Sequence, residues 1–234
     1  MITSTSALPG ILQCFNKEFR SVVPFKIEAN RLLLMNFTAT NTTLKQETVN
    51  ETSAFCEYID KQLYDAGADY GIGGYDEHRT VYARSEVFDD AGEPRRLHIG
   101  IDIWGAAATP VYAPLDGKVH SVGNNNRFGD YGATIVLQHQ LDGLVFHTLY
   151  GHLSLKSIAA LIPDQTIAAG SAMADFGIPS ENGQWPPHLH FQVIQDMEGK
   201  RGDYPGVCKF SERGKYLVNC PDPDLILNMM QYAF

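Results

Sequence analysis

LHIGIDIW, residues 97–104, opens a succession of short apolar runs that decides the fold of this chain. Turn residues separate five further runs of strand length: PVYAP (110–114), GKVHSV (117–122), ATIVLQH (133–139), LVFHTLYGH (144–152) and HLHFQVIQ (188–195). Such runs predict β-strands, and turn signals such as Asp116-Gly117 favour antiparallel neighbours. We therefore predict a mainly β protein (β-rich α+β), in which residues 94–198 form a catalytic domain built on an antiparallel sheet or sandwich.

The sequence before this region has a mixed pattern of helix and strand signals. Residues 1–93 are predicted to form a smaller mixed α/β segment that packs on the β-rich domain or shields its cleft. Four apolar positions at helical spacing predict a helix that starts near Glu51, is capped by Asn50 or Thr52, and ends at Gly67; they are Phe55, Tyr58, Ile59 and Leu63. The glycine-rich stretch GADYGIGGY (67–75) lacks the order of a dinucleotide-binding loop and is predicted to be a flexible connection.

The sequence after the β-rich region is rich in Gly and Pro. Residues 199–234 are predicted to be a C-terminal extension that packs on the catalytic domain, with a short helix over Leu225 to Met230. The four cysteines have no Cys-x-x-Cys spacing, so neither a cysteine zinc site nor a dense disulfide framework is indicated. Free thiols are the preferred interpretation, and a pair between Cys208 and Cys220 is the alternative for an exported protein.

Charge and hydropathy exclude several function classes. The 234 residues include 18 Lys and Arg against 27 Asp and Glu, a formal net charge of −9 at pH 7. Binding to nucleic-acid phosphates or to an anionic membrane needs a basic surface, so we expect no nucleic acid and no membrane as partners. The sequence contains no run of about 18 apolar residues and no recognisable export signal. We expect a cytoplasmic protein, with a periplasmic or secreted location as the alternative if a signal was removed. Composition indicates no oligomeric state.

His98 and Asp102 form the first pair of candidate metal ligands. On a straight strand their Cα atoms would lie roughly 13 Å apart, at about 3.3 Å per residue, which is too far to share one ion. The intervening residues Ile99, Gly100 and Ile101 disfavour a helix. If the two side chains converge on a metal, the chain must bend near Gly100, the residue best able to bend.

His188 and His190, in PHLHFQV, form the second pair. Alternation along a strand puts both imidazoles on one face and the apolar residues between them on the other. Two histidines on one buried face are costly unless they are hydrogen-bonded or bound to metal. Three ligands such as His98, Asp102 and one of this pair suit Zn²⁺ and leave a fourth position for water. The other histidine of the pair and His152 are candidates to accept the water proton and to stabilise the oxyanion.

HIGID, LYGHL and HLHF, in that order, resemble the signature of the lysostaphin-type zinc endopeptidases, whose known members cut peptide cross-links in bacterial peptidoglycan. The resemblance implies one Zn²⁺ per chain, bound by His98, Asp102 and His190. It further implies that His152 and His188 are the two catalytic histidines that do not bind the metal. The implied function is a zinc-dependent metalloendopeptidase, a hydrolase of amide bonds in peptides or peptidoglycan fragments.

This sequence departs from the family pattern around the last motif. The phrase before it is FGIPSENGQWPP instead of the usual Gly- and Ser-rich one, so Trp185 is expected to fill the cleft edge. Tyr131, Trp185 and His78 are the candidates for substrate contact. A zinc hydrolase of a non-peptide cytoplasmic metabolite and a catalytically silent binding or regulatory relative are the two alternative functions. Silent relatives typically lose ligands, and this chain keeps every ligand type.

Overall fold

The computed structural model of the protein describes residues 6–89 and 92–234. The predicted segment 1–93 includes residues 1–5, 90 and 91, which lie outside the described residues. The helices are α1 (Leu8–Cys14), α2 (Gln46–Asn50), α3 (Thr52–Ala66), α4 (Leu155–Ala159), α5 (Arg213–Asn219) and α6 (Asp224–Leu227). Short 3₁₀ turns span Val81–Arg84, Glu86–Phe88, Phe210–Glu212 and Met230–Tyr232.

Thirteen strands are found in the described residues. They are β1 (Leu32–Leu34), β2 (Tyr70–Gly73), β3 (Glu77–His78), β4 (Leu97–His98), β5 (Ile101–Trp104), β6 (Pro110–Tyr112), β7 (Gly117–Asn125), β8 (Gly132–Leu141), β9 (Leu144–Leu153), β10 (Thr166–Ile167), β11 (Ala172–Asp175), β12 (His188–Ile194) and β13 (Val207–Cys208). Every apolar run quoted from the sequence contains at least one of them, so the prediction of a mainly β fold is confirmed.

One large sheet organises the molecule, with the strand order β1-β2-β5-β12-β9-β8-β7-β10. Its pairs are antiparallel except β1 with β2 at one edge. β12 lies between β5 and β9, and all seven of its residues are buried. β13, β4 and β3 form a separate three-stranded sheet, and β6 pairs with β11. The His-x-His sequence therefore lies on a buried strand that is paired on both sides.

The glycine-rich stretch 67–75 contains a strand, so the prediction of a flexible connection there is wrong. β2 is buried and pairs with both β1 and β5. Glycine is needed here because the strand is approached closely: a Cβ on Gly71 would lie 2.7 Å from Met35 Cγ and 3.3 Å from Trp104 Cβ. The large sheet therefore extends across the expected boundary between residues 93 and 94.

Helix α3 confirms the helix expected from Glu51. Phe55, Ile59 and Leu63 are buried, and Gly67 ends the helix in a left-handed conformation with φ of 58°. The predicted cap is wrong, because the N-cap position is Glu51 and no side chain caps it. The buried face packs with Trp104 and Trp185 in one apolar cluster, which places this helix behind the strands that carry the histidines.

The C-terminal residues pack on the rest of the molecule and are more ordered than their composition predicts. β13 pairs with β4, and α5 was not anticipated from the sequence. Helix α6 covers part of the apolar run at Leu225. Cys14, Cys56, Cys208 and Cys220 are all free thiols, in agreement with the preferred interpretation. None of the helices between residues 6 and 234 that the structure describes is long and apolar enough to cross a bilayer.

Candidate metal centre and active site

His98, Asp102 and His190 converge although the first two lie on different sheets. His98 ends β4 in the three-stranded sheet, and Asp102 lies on β5 in the large sheet, opposite His190 of β12. The chain passes from one sheet to the other at Gly100, where the bend was expected. A Cβ on Gly100 would lie only 2.4 Å from His190 Cε1. A glycine here therefore permits both the turn and the close approach of the His190 ring.

The distances between the three donor atoms match those expected for the ligands of a single small cation. His98 Nε2 lies 2.9 Å from His190 Nδ1, which lies 3.0 Å from Asp102 Oδ1. His98 Nε2 and Asp102 Oδ1 are 3.3 Å apart. A tetrahedral zinc ion, with donors at about 2.0–2.1 Å, keeps them about 3.3 Å from one another. The residues present thus fit Zn²⁺, with three protein donors and one position left open.

Hydrogen bonds orient the imidazoles of both candidate histidine ligands. His98 Nδ1 donates to the Gly74 carbonyl oxygen at 2.9 Å, so that Nε2 carries the lone pair. His190 Nε2 donates to Gln192 Oε1 at 3.0 Å, which leaves the Nδ1 lone pair facing the other two candidate donors. The Gln192 amide is itself fixed, because its Nε2 donates to the Pro205 carbonyl oxygen at 3.1 Å. Such outer partners set the tautomer and raise the basicity of ligating histidines.

Charge in the centre favours unprotonated ligands. Burial, together with the Arg79 guanidinium, lowers the pKa of His98 to about 4. Burial alone raises the pKa of a carboxyl group, but His98 and Arg79 outweigh this effect and hold the pKa of Asp102 well below its usual range. Both side chains are therefore ready to bind a cation at neutral pH. Arg79, to which no sequence motif pointed, is 1 % exposed and donates from Nη1 to Asp102 Oδ2.

His152 and His188 lie side by side next to the ligands, with ring centroids 4.1 Å apart. Each donates from Nδ1 to a backbone carbonyl oxygen, His152 to Asn182 at 2.8 Å and His188 to Pro186 at 2.7 Å. Nε2 of each ring therefore carries a lone pair. Burial lowers the pKa of His188 to about 4, and burial and His188 hold the pKa of His152 well below its usual range.

Backbone and packing fix these two rings. His152 has φ of 63°, a left-handed conformation that a non-glycine residue adopts at a cost. His188 stacks on Trp104, with centroids 4.0 Å apart and an interplanar angle of 18°. Trp185 meets His188 edge-on at 6.3 Å. Backbone conformation and aromatic packing thus fix the positions of both imidazoles.

A cavity of about 200 Å³ opens onto these residues. Its lining includes four of the predicted ligand and catalytic residues: Asp102, His152, His188 and His190. Tyr131 and Trp185, two of the candidates for substrate contact, also line it. The structure does not bring the third candidate there: His78 is exposed, and its ring centroid lies 6.5 Å from that of Phe210. Its neighbour Arg79 takes the inward position instead.

Part of this chain is similar to known proteins. Residues 96–203 match Peptidase family M23. A curated relative described as an uncharacterized metalloprotease, from Haemophilus influenzae, is 34% identical over 138 residues, which cover 56% of this chain and 27% of the relative. The chain thus spans about a quarter of the length of that relative.

Solved structures of similar proteins include a zinc-containing peptidase from Vibrio cholerae and the catalytic domain of lysostaphin from Staphylococcus simulans. The first is 31% identical, with 42% of this chain and 27% of that chain covered and a TM-score of 0.34. The second is 23% identical, with 67% and 96% covered and a TM-score of 0.41. The family match confirms the resemblance inferred from the three motifs: residues 96–203 of this chain are similar to Peptidase family M23, the lysostaphin-type family.

Proposed function

We propose that this protein is a zinc-dependent metallopeptidase that hydrolyses an amide bond in a short peptide or a peptidoglycan fragment. One observation carries the proposal: His152 and His188, two buried histidines, line the same cavity as Asp102 and His190 of a His-Asp-His donor set. His98, Asp102 and His190 would hold the ion. When bound, zinc supplies a Lewis acid that polarises a carbonyl group and lowers the pKa of water.

The two remaining histidines supply proton transfer. Because Nδ1 of His152 and of His188 is committed to a carbonyl oxygen, each ring accepts a proton only at Nε2. The low pKa of each ring keeps Nε2 unprotonated at neutral pH. Either ring can then take a proton from the attacking water and return it to the leaving amine, and the protonated ring stabilises negative charge on the substrate oxygen.

The cavity favours a small substrate. Its volume of about 200 Å³ lies below the roughly 300–1,000 Å³ of typical ligand pockets. Part of its wall comes from Val81, Tyr82 and Phe88, which precede the M23 domain, and part from Tyr204 and Pro205, which follow β12. A short peptide or a fragment therefore suits the site better than a long cross-linked chain.

Two variants and a substrate panel test the proposal. His190→Ala should lose most of its zinc, because a ligand is removed, as measured by metal analysis of protein purified without chelator. His188→Ala should keep close to one zinc per chain and lose about 10²–10⁴-fold in turnover. The panel comprises oligoglycine, peptides with D-amino acids and muropeptides, with products read by mass spectrometry. Full zinc loading with the whole panel intact would refute the peptidase activity and favour a metabolite hydrolase or a silent relative.

A further inference from the structure

Arg79 is a fully buried cation in contact with the metal centre, and it lies outside the stretch that matches the M23 family. Its Nη1 donates to Asp102 Oδ2, and its Nε donates to Glu77 Oε2 at 2.6 Å. The guanidinium thus bridges the ligand carboxylate and a second carboxylate on β3. A forked, planar donor holds two such partners at fixed angles, which an ammonium group cannot do.

The two oxygens of Asp102 have different partners. Oδ1 lies 3.0 Å from His190 Nδ1 and 3.3 Å from His98 Nε2, whereas Oδ2 is hydrogen-bonded to Arg79. A carboxylate can bind a metal through one oxygen or through both. With Oδ2 occupied by the guanidinium, Oδ1 alone faces the two imidazole nitrogens. This arrangement keeps the donor set at three atoms, the number found in catalytic zinc sites that retain an open position.

The segment that carries Arg79 is tied to the ligand strands at several points. On β3, Glu77 pairs with His98 of β4. The Arg79 backbone N–H donates to the Arg96 carbonyl oxygen at 2.9 Å, and the Gly74 carbonyl oxygen accepts from His98 Nδ1 at 2.9 Å. Residues 74–79 therefore contact two of the three candidate ligands.

We propose that Arg79 is a positioning residue that fixes Asp102 as a single-oxygen metal ligand, and that residues 74–79 are an integral part of the metal centre. The inference rests on the metal site of the proposed function, and it goes beyond it by assigning part of that site to residues before the M23 domain. Arg79 acts through Asp102, so its effect appears first in metal binding and only then in turnover.

The test measures zinc affinity of the full chain by competition with a chromophoric chelator. Arg79→Met keeps most of the side-chain volume and removes the charge, and we expect about 10- to 100-fold weaker zinc binding, the range for lost outer partners of metal ligands. Arg79→Lys should fall between Arg79→Met and the wild type. The matched control is Lys61→Met, which removes an exposed cation paired with Asp65 on α3 (Nζ to Oδ2, 2.6 Å) and should leave zinc affinity unchanged.

A second readout separates positioning from general stability. Cobalt substituted for zinc has a visible absorption that reports coordination number, so Arg79→Met should change this spectrum if Asp102 is free to bind through both oxygens. If Arg79→Met does not fold, zinc affinity is measured in Arg79→Lys and Glu77→Gln instead. We expect weaker zinc binding than in the wild type in both variants. Wild-type affinity and an unchanged cobalt spectrum in the folded variants would overturn the inference. Failure of the wild type to bind zinc would instead refute the proposed function.

Discussion

Gly100→Ala tests whether the turn between the candidate ligands His98 and Asp102 is shaped by the position of His190, the third candidate ligand. A Cβ at this position would lie 2.4 Å from His190 Cε1, 2.6 Å from His190 Nε2 and 2.9 Å from the Phe191 carbonyl oxygen. Ordinary van der Waals contact begins at 3.4 Å, so the nearest imidazole carbon must retreat by 3.4 − 2.4 = 1.0 Å. No ligand is changed by this substitution.

The imidazole is expected to move, because the backbone cannot. Phe191 is paired with Ile101 of β5 on one side and with Tyr150 of β9 on the other. Donor-to-metal distances in functional sites vary by about 0.2 Å, so a displacement of 1.0 Å takes His190 Nδ1 out of range. We expect zinc affinity to fall at least about 100-fold, or roughly 2.7 kcal/mol. Crowding of Phe191 should also lower the free energy of unfolding of the metal-free protein by about 1–3 kcal/mol.

Chelator competition measures the zinc affinity, and urea unfolding with and without zinc measures the stability that the metal adds. That added stability depends on the ratio of free zinc to the dissociation constant, so it should largely disappear in Gly100→Ala. Gly214→Ala is the matched control, because a Cβ there has no atom within 4 Å, and it should keep wild-type zinc affinity. A folded Gly100→Ala protein with wild-type affinity would refute the reasoning.

Two further predictions concern buried side chains: the hydrogen bond between His190 and Gln192, and the protonation of His139. Gln192→Leu removes the acceptor of His190 Nε2–H, so zinc binding should weaken about 10- to 100-fold; unchanged affinity by chelator competition contradicts this. Burial lowers the pKa of His139 to about 4 from 6.5, so the folded state binds fewer protons than the unfolded state, and stability is lost as pH falls from about 6.5 toward 4. From pH 7 to pH 5 the wild type should lose about 2 kcal/mol more of its unfolding free energy than His139→Gln. Equal losses in urea titrations would exclude His139 as the cause.

The strands and the candidate ligands could be predicted because their signals are local. A strand such as LVFHTLYGH is visible from its apolar residues and from the turn residues that bound it. The spacing of His188 and His190 likewise specifies one face of one strand. The need for a bend at Gly100 followed from the length of an extended chain alone. Each of these inferences uses residues no more than about ten positions apart.

The strand at Tyr70–Gly73 could not be predicted, because its reason lies elsewhere in the chain. Glycine weakens an isolated strand, and two of the four residues of β2 are glycine. The structure needs them because Met35 and Trp104 approach Gly71 to within contact distance of any added Cβ. Neither neighbour is close to Gly71 in the sequence, so composition suggested a flexible connection where tertiary packing requires a strand.

The choice between His78 and Arg79 shows what a search for metal ligands overlooks. From the sequence, His78 is a candidate for substrate contact and Arg79 is not a candidate for any role. Side-chain direction alternates along an extended chain, and a shift of one residue exchanges the inward and outward positions. The structure exposes His78 and buries Arg79 against Asp102. A buried ligand carboxylate has a second oxygen that needs a donor, and arginine is the residue best shaped to provide it. A sequence search for such a centre should therefore look for the cation that serves the carboxylate as well as for the donors that serve the metal.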